Sequence, residues 1–303
     1  MASPKTMINL LDYTLPELTD WMQNELGEPK FRAVQVWQWI WQKMARDFDA
    51  MTNVSKACRE RLAQCAEIRW PEIVTVEQSS DDTTKFLLRL QDGAEVETVL
   101  IPSDSREGVR RWTQCLSSQV GCAMACTFCS TGTMGFERNM TMGEILGQIL
   151  VAREHLGDTR PDWPVLRNLV FMGMGEPSHN LANVMSAIDF LGTYSAIGHK
   201  NLVLSTVGDK RVFEALETSR VKPALAISLH STIEEKRRQL LPKAGKITIE
   251  ELVEKAEIYA RATGYPTQYQ WTLIDGVNDG EDELANLVTL LKGHYAMVNF
   301  IGV

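Results

Sequence analysis

The chain is predicted to be an α/β protein, an open partial (β/α)6 barrel preceded by a small N-terminal helical domain. Three observations predict it. From residue 113 onward, six short apolar runs alternate with amphipathic helical stretches, the pattern of a parallel sheet with crossover helices. Six strands are too few for the eight-stranded closed barrel, so the barrel stays partial. Residues 14–67 instead carry helical periodicity alone. At 303 residues and 34.1 kDa, the chain can bury one large core with a smaller appended domain. The expected divisions are a helical domain at 1–72, a β extension and linker at 73–112, and the barrel at 113–303.

Thr14 is placed to cap a first helix, with Glu17 three residues on and Leu15, Leu18, Met22 and Leu26 as its apolar stripe. Gly27 and Pro29 stop it. A second helix carries Val34, Trp37, Ile40, Trp41 and Met44 at helical spacing, and Ser55 caps a third holding Cys58, Leu62 and Cys65. Trp39 lies off the Trp37/Trp41 stripe, available to a neighbouring domain or a base. Extended segments follow at Ile73–Val76, Lys85–Leu90 and Glu95–Ile101, with Asp92-Gly93 as a hairpin signal between the last two. The barrel strands are expected at Thr113–Gln119, Asn168–Met172, Asn201–Ser205, Ala224–Ser228, Gln268–Ile274 and Met297–Ile301. Helices are expected near 142–155, 180–193, 208–218, 233–240, 248–262 and 281–292.

A net charge of −8 and a pI of about 5.3 exclude indiscriminate nucleic-acid binding, although a local basic surface on an acidic body stays open. Two basic clusters are candidates: Arg106, Arg110 and Arg111, and then Lys236, Arg237, Arg238, Lys243 and Lys246. No apolar run approaches the 18 or so residues that cross a bilayer, and the first residues carry no apolar signal core. Six cysteines in a chain of this size read as reduced thiols, so a cytoplasmic protein without membrane attachment is expected.

Three of those cysteines fall within eight residues, Cys122-Ala-Met-Ala-Cys126-Thr-Phe-Cys129, and none follows. Structural zinc takes four nitrogen or sulfur ligands, so a zinc site here recruits Cys115 or a distant histidine. A 4Fe–4S cluster held by three protein thiolates keeps one iron open for a small molecule. Other unusual residues sit where the strands end, the place reserved for chemistry in parallel βα folds. Gly173-Met174-Gly175-Glu176-Pro177 follows the second strand, Ser205-Thr206 ends the third and Ser228-Leu229-His230 the fourth. The glycines permit close approach of a ligand to backbone, and Glu176 can accept hydrogen bonds from an ammonium group.

The Cys-x3-Cys-x2-Cys spacing resembles the cluster motif of radical S-adenosylmethionine (SAM) enzymes. With Ser117-Ser118-Gln119-Val120-Gly121-Cys122, Gly173–Pro177, Leu204-Ser205-Thr206, Ala226–His230 and Val277-Asn278-Asp279, the chain resembles the bacterial dual-specificity adenine-C2 methyltransferases of 23S rRNA and tRNA over essentially its whole length. The resemblance implies a 4Fe–4S cluster on Cys122, Cys126 and Cys129, and S-adenosyl-L-methionine contacted by Gly175, Glu176, Ser205, Ser228, Leu229 and His230. It implies that Glu97 is the proton acceptor and Cys115 the thiol that resolves a protein–RNA adduct. Glu97 shares a strand face with Val99 and Ile101, where partial desolvation would suit a base, although the residues alone read as a solvated strand charge. The implied partners are 23S rRNA, tRNA and a reducing electron donor such as flavodoxin, with a monomeric enzyme and the N-terminal helices contacting RNA. Adenine C2 lies between two ring nitrogens and is too electron-poor to attack a methyl cation donor directly, which explains the need for radical chemistry.

The family's methyl-carrying cysteine and a C-terminal SAM-binding asparagine lie beyond the strand that ends at Val303, and neither is among these residues. The resemblance therefore implies a C-terminally shortened chain that encodes the cluster and SAM site and is impaired in complete methyl transfer. The related adenine-C8 methyltransferases and a non-catalytic iron–sulfur or RNA-binding remnant are the alternatives.

Overall fold

The computed structural model describes residues 7–104, 108–160 and 165–302; Arg106 of the first basic cluster lies outside them. These residues form two compact units interleaved in sequence, one built from 7–104, 108–114, 141–160, 165–167 and 194–196, the other from 115–140, 168–193 and 197–302.

In the first unit, β1 (Ile8–Asn9) pairs in parallel with β2 (Ala66–Glu67), and three helices lie between them: α1 (Leu15–Leu26), α2 (Lys30–Trp41) and α3 (Lys56–Cys65). The Thr14 amide donates to the Glu17 carboxylate at 2.8 Å, forming the predicted capping box, and Gly27 closes α1 at φ 63°. Leu18, Met22, Val36, Trp37, Ile40, Trp41, Cys58 and Leu62 are buried, as the stripes require. Three expectations fail at the margins. Met44 is off the helix in a left-handed conformation at φ 57°, Val34 is exposed, and Cys65 is only half-buried. Trp39 donates from Nε1 to Asn53, and the Lys43 ammonium sits 3.8 Å from its ring centre.

The strands β3 (Glu72–Gln78), β4 (Thr84–Arg89), β5 (Glu95–Asp104) and β6 (Arg110–Cys115) come next. β3, β4 and β5 pair antiparallel, and the Asp92-Gly93 turn joins β4 to β5 as predicted. Phe86, Leu88, Val96 and Leu100 alternate inward with period two.

Thr113–Gln119 does not form one strand. β6 stops at Cys115, and a separate antiparallel pair, β7 (Gln119–Gly121) with β8 (Phe136–Asn139), brackets the cysteine loop and the short helix α4 (Ser130–Met134). Ser117 and Ser118 turn the chain here because their polar groups bond the 173–174 loop instead of a sheet ladder. Helix α5 (Met142–His155) returns to the first unit, capped by Thr141 and Glu144. Its apolar residues run all the way round, and residues 142 and 143 and 145–153 are buried. Gly143 donates its amide to Asp12 at 2.8 Å, and a Cβ there would lie 2.7 Å from that carboxylate and 2.9 Å from Leu11.

The second unit continues with β9 (Leu166–Phe171), α6 (Leu181–Tyr194), β10 (Leu202–Thr206), α7 (Lys210–Thr218), β11 (Ala224–Ser228), α8 (Glu234–Leu240), α9 (Ile249–Thr263), β12 (Thr267–Leu273), α10 (Glu281–Leu291) and β13 (Ala296–Gly302). The strands β9 to β13 pair in parallel in chain order. The Leu116 amide, just past β6, donates to Val170 of β9 at 2.8 Å. The bodies of β10 and β11 are apolar runs buried on both faces, as central parallel strands require. This is the open α/β arrangement predicted. Among the described residues no helix is long and apolar enough to cross a membrane.

Gly143→Ala raises helix propensity but overfills the contact with Asp12 and Leu11. It should destabilise the protein by about 1–3 kcal/mol, read as a lower urea midpoint at unchanged slope.

Candidate active site at the strand ends

The cysteine loop is held by close backbone approaches. The Cys122 amide donates to Gly135 O at 2.7 Å, and a Cβ on Gly121, at φ +68°, would lie 2.0 Å from the same oxygen. Cys129 N donates to Cys126 O at 3.2 Å, and Thr127 N donates to Leu240 O at 3.1 Å, tying the loop to the end of α8. Cys122 and Met124 are buried with Val207, Leu240 and Leu241, and Cys126 and Phe128 pack against them. Burial pushes the Cys126 thiol up to about 12, with Cys129, Cys122 and Glu176 adding like-charge repulsion. Burial also raises Cys122; the Met124 amide partly offsets it, and Glu176 and Cys129 add to the rise.

Three thiols and a buried carboxylate thus share one neighbourhood, and no cation on the loop stabilises a thiolate. These are soft donors that ionise on a metal and release protons as they bind. Among the described residues no three His, Cys, Asp or Glu side chains gather as a single-ion site requires. A cluster takes each thiolate on a different iron, so the donor set fits a 4Fe–4S group.

The loop after β9 is laced to residues 116–119. Gly173 N donates to Leu116 O at 3.0 Å, Met174 N to Ser117 Oγ at 2.8 Å, and Glu176 N to Gln119 Oε1 at 2.8 Å. Gly175 sits at φ +98°, and a Cβ there would lie 2.6 Å from the Gln119 Cβ, so only glycine fits. Glu176 is 5% exposed. Its Oε1 accepts from Ser178 N at 3.1 Å and the Thr206 hydroxyl at 2.6 Å, and its Oε2 accepts from Val207 N at 3.2 Å. Burial raises its pKa, and these donors oppose the rise. Sequence reasoning chose Ser205 at the end of β10; that residue is buried, and its neighbour Thr206 makes the bond to Glu176.

Ser228, Leu229 and His230 form a turn at the end of β11. Leu229 and His230 donate their amides to Gln270 O at 3.1 and 3.3 Å. His230 is strained at φ +58° and is fixed from two sides: Thr272 N donates to its Nδ1 at 3.0 Å, and Asn278 Nδ2 donates to its carbonyl at 2.7 Å. The neutral ring therefore carries its proton on Nε2. It lies 4.6 Å from the ring of Phe128, in the cysteine loop. Burial, with Arg237 adding, pushes His230 down to about 4. Asn278, read from sequence only as part of a matching stretch, also bonds Thr272 O and Ile274 N. The second basic cluster does not form one surface, because Arg237 is buried and Lys236 pairs with Asp282 and Glu283.

Cys115 lies at the end of β6; its residue is half-buried while burial of the sulfur pushes the thiol up to about 12. Glu97 lies on β5 in the first unit. Its side chain is 45% exposed and pairs with Lys85 at 3.2 Å, the solvated strand charge that the residues alone suggest and not the partly desolvated carboxylate that would suit a base. The face it shares with Val99 and Ile101 is the outer one, and Val96, Thr98 and Leu100 face the core.

Fold and cysteine loop together define a radical SAM enzyme. Residues 116–288 match the radical SAM superfamily, and residues 8–68 match the N-terminal domain of ribosomal RNA large subunit methyltransferases. The chain is 55% identical to the dual-specificity RNA methyltransferase RlmN of Nitratidesulfovibrio vulgaris, over 97% of this chain and 81% of that protein. It is 45% identical to the same enzyme of Lawsonia intracellularis, over 97% and 83%. A crystal structure of a radical SAM methyltransferase from Sphaerobacter thermophilus superposes with a TM-score of 0.87 at 34% identity, covering 97% of this chain and 84% of that one. The chain belongs to the RlmN family of radical SAM RNA methyltransferases, a superfamily that uses a 4Fe–4S cluster and SAM.

An imidazole held neutral makes stability fall on acidification, since the unfolded chain takes up a proton near pH 6.5 and the folded one near 4. From pH 7.5 to 5, His230 should therefore cost about 2 kcal/mol. His230→Asn keeps a left-handed backbone and should lose that much less over the same interval in paired denaturant titrations.

Proposed function

We propose that the protein methylates C2 of an adenine in 23S rRNA and in tRNA. The observation that carries this reading is the three-thiol loop folded beside the buried carboxylate of Glu176, in a chain 55% identical to a dual-specificity RNA methyltransferase. Cys122, Cys126 and Cys129 hold the cluster, which when bound supplies the electron for reductive cleavage of SAM. Glu176 accepts the ammonium group of SAM, whose charge offsets the burial of the carboxylate. Gly175 lets the ligand approach the backbone, Ser205 and Ser228 offer hydroxyls, and Leu229 with His230 presents a rigid turn and an Nε2–H donor. Glu97, kept beside an ammonium by Lys85, takes the ring proton, and Cys115 must lose its own proton before it can resolve an adduct. The helical domain at 1–72 contacts RNA, the segment 73–112 carries Glu97, and 113–303 is the partial barrel. A flavodoxin-like donor supplies electrons to a cytoplasmic monomer.

Anaerobically reconstituted protein should carry about four irons with matching sulfide, and Cys122→Ala, Cys126→Ala or Cys129→Ala should each lose most of both. Zinc in place of iron would sink the assignment. Mass-spectrometric mapping of rRNA and tRNA after deletion of the gene should show loss of 2-methyladenine. Loss of 8-methyladenine instead would select the C8 reaction, and an unchanged pattern would overturn both.

A further inference from the structure

Arg237 is one of the most buried charged groups in the second unit, 3% exposed, and among the described residues no carboxylate makes an ion pair with it, Glu234 on the same helix acting only as a nearby charge. Its Nη2 donates to Val207 O at 2.5 Å and to Ser228 O at 3.1 Å, and its Nε has no partner. Val207 follows β10 and already donates its amide to Glu176; Ser228 opens the turn that carries His230. One guanidinium therefore spans the two strand ends that frame the site. Three residues on, Leu240 O accepts from Thr127 N in the cysteine loop, and Leu240 and Leu241 pack on Cys122 and Met124. Helix α8 is thus a short strut, its middle tied through Arg237 to the Val207 and Ser228 carbonyls and its C-terminal end to the cysteine loop.

A guanidinium buried without a counter-ion is a poor choice for stability alone, because an apolar side chain of similar length fills the space without the desolvation cost. What Arg237 offers that methionine does not is a fixed distance between two carbonyls. We propose that Arg237 is a positioning residue, setting the Ser228–His230 turn and the Val207–Glu176 contact at the spacing that SAM requires relative to the cysteine loop. This rests on the reading of the strand ends as the SAM site.

The test uses full-length, anaerobically reconstituted protein. Arg237→Met should keep its iron and sulfide content and a thermal midpoint equal to or above wild type, yet bind SAM at least about tenfold more weakly. The SAM-induced change in the EPR spectrum of the reduced protein should weaken in parallel. Without SAM, the Leu229 and His230 amides should exchange with deuterium faster than in wild type. Arg237→Lys, which keeps the charge and a donor nitrogen on a more flexible stem, should recover part of the affinity. If Arg237→Met does not fold, Arg237→Gln, too short to span both oxygens, replaces it with the same expectation. SAM affinity within about twofold of wild type in the folded variant overturns the inference, and so does failure of both neutral variants to fold. Wild-type protein that loads a cluster but binds no SAM would instead refute the assignment of the site itself.

Discussion

A carboxylate shut away from water is the constraint on which the second unit depends. Glu176 leaves β9 on a loop that lies flat against residues 116–119, and its two oxygens are met by donors from its own turn and from the end of β10. Burying such a group costs several kcal/mol unless donors are already in place. Here they are backbone amides and one hydroxyl on short, rigid connections, so the strand ends cannot drift without exposing an unsatisfied charge. The positive φ of Gly175 and the missing side chain of Gly173 follow from the same requirement, since any Cβ there strikes the 116–119 segment the loop must lie on.

The cysteine loop is built on an opposite principle. Glu176 is met by donors on both oxygens, whereas burial raises the thiols of Cys122 and Cys126, with Cys129 and Glu176 adding to both. Thiolate is the reactive form of cysteine, and burial works against it in this loop. Cys115 shares this restraint.

Much of this was legible in the sequence because it was local. The Thr14/Glu17 capping box, the Asp92-Gly93 turn and the alternation of β4 and β5 are decided by residues within a few positions of each other. The strand-end motifs were legible too, since glycine and small polar residues interrupting apolar runs have few other uses in a parallel sheet. What failed depended on distant partners. Ser117 and Ser118 have strand neighbours on both sides in sequence, and only the 173–174 loop explains why the ladder breaks there. Glu97 shares a face with Val99 and Ile101, but periodicity does not say which face of a strand is covered, and the covered one is the other. Met44 continues the helical spacing, yet α2 ends at Trp41 and the next turn is left-handed at Met44.

Arg237 shows the limit most clearly. In sequence it is one of five cations between residues 236 and 246, the signature of a solvated or phosphate-binding surface. In the fold its neighbours divide among separate tasks: Lys236 anchors to α10, Arg238 pairs with Glu235 along its own helix, and Arg237 turns inward to two carbonyls. A run of like charges on a short helix must point in different directions every 100° or so, so at least one of three consecutive residues faces the body of the protein. Such a run is not a single patch, and the inward member is the one whose environment differs from water enough to matter.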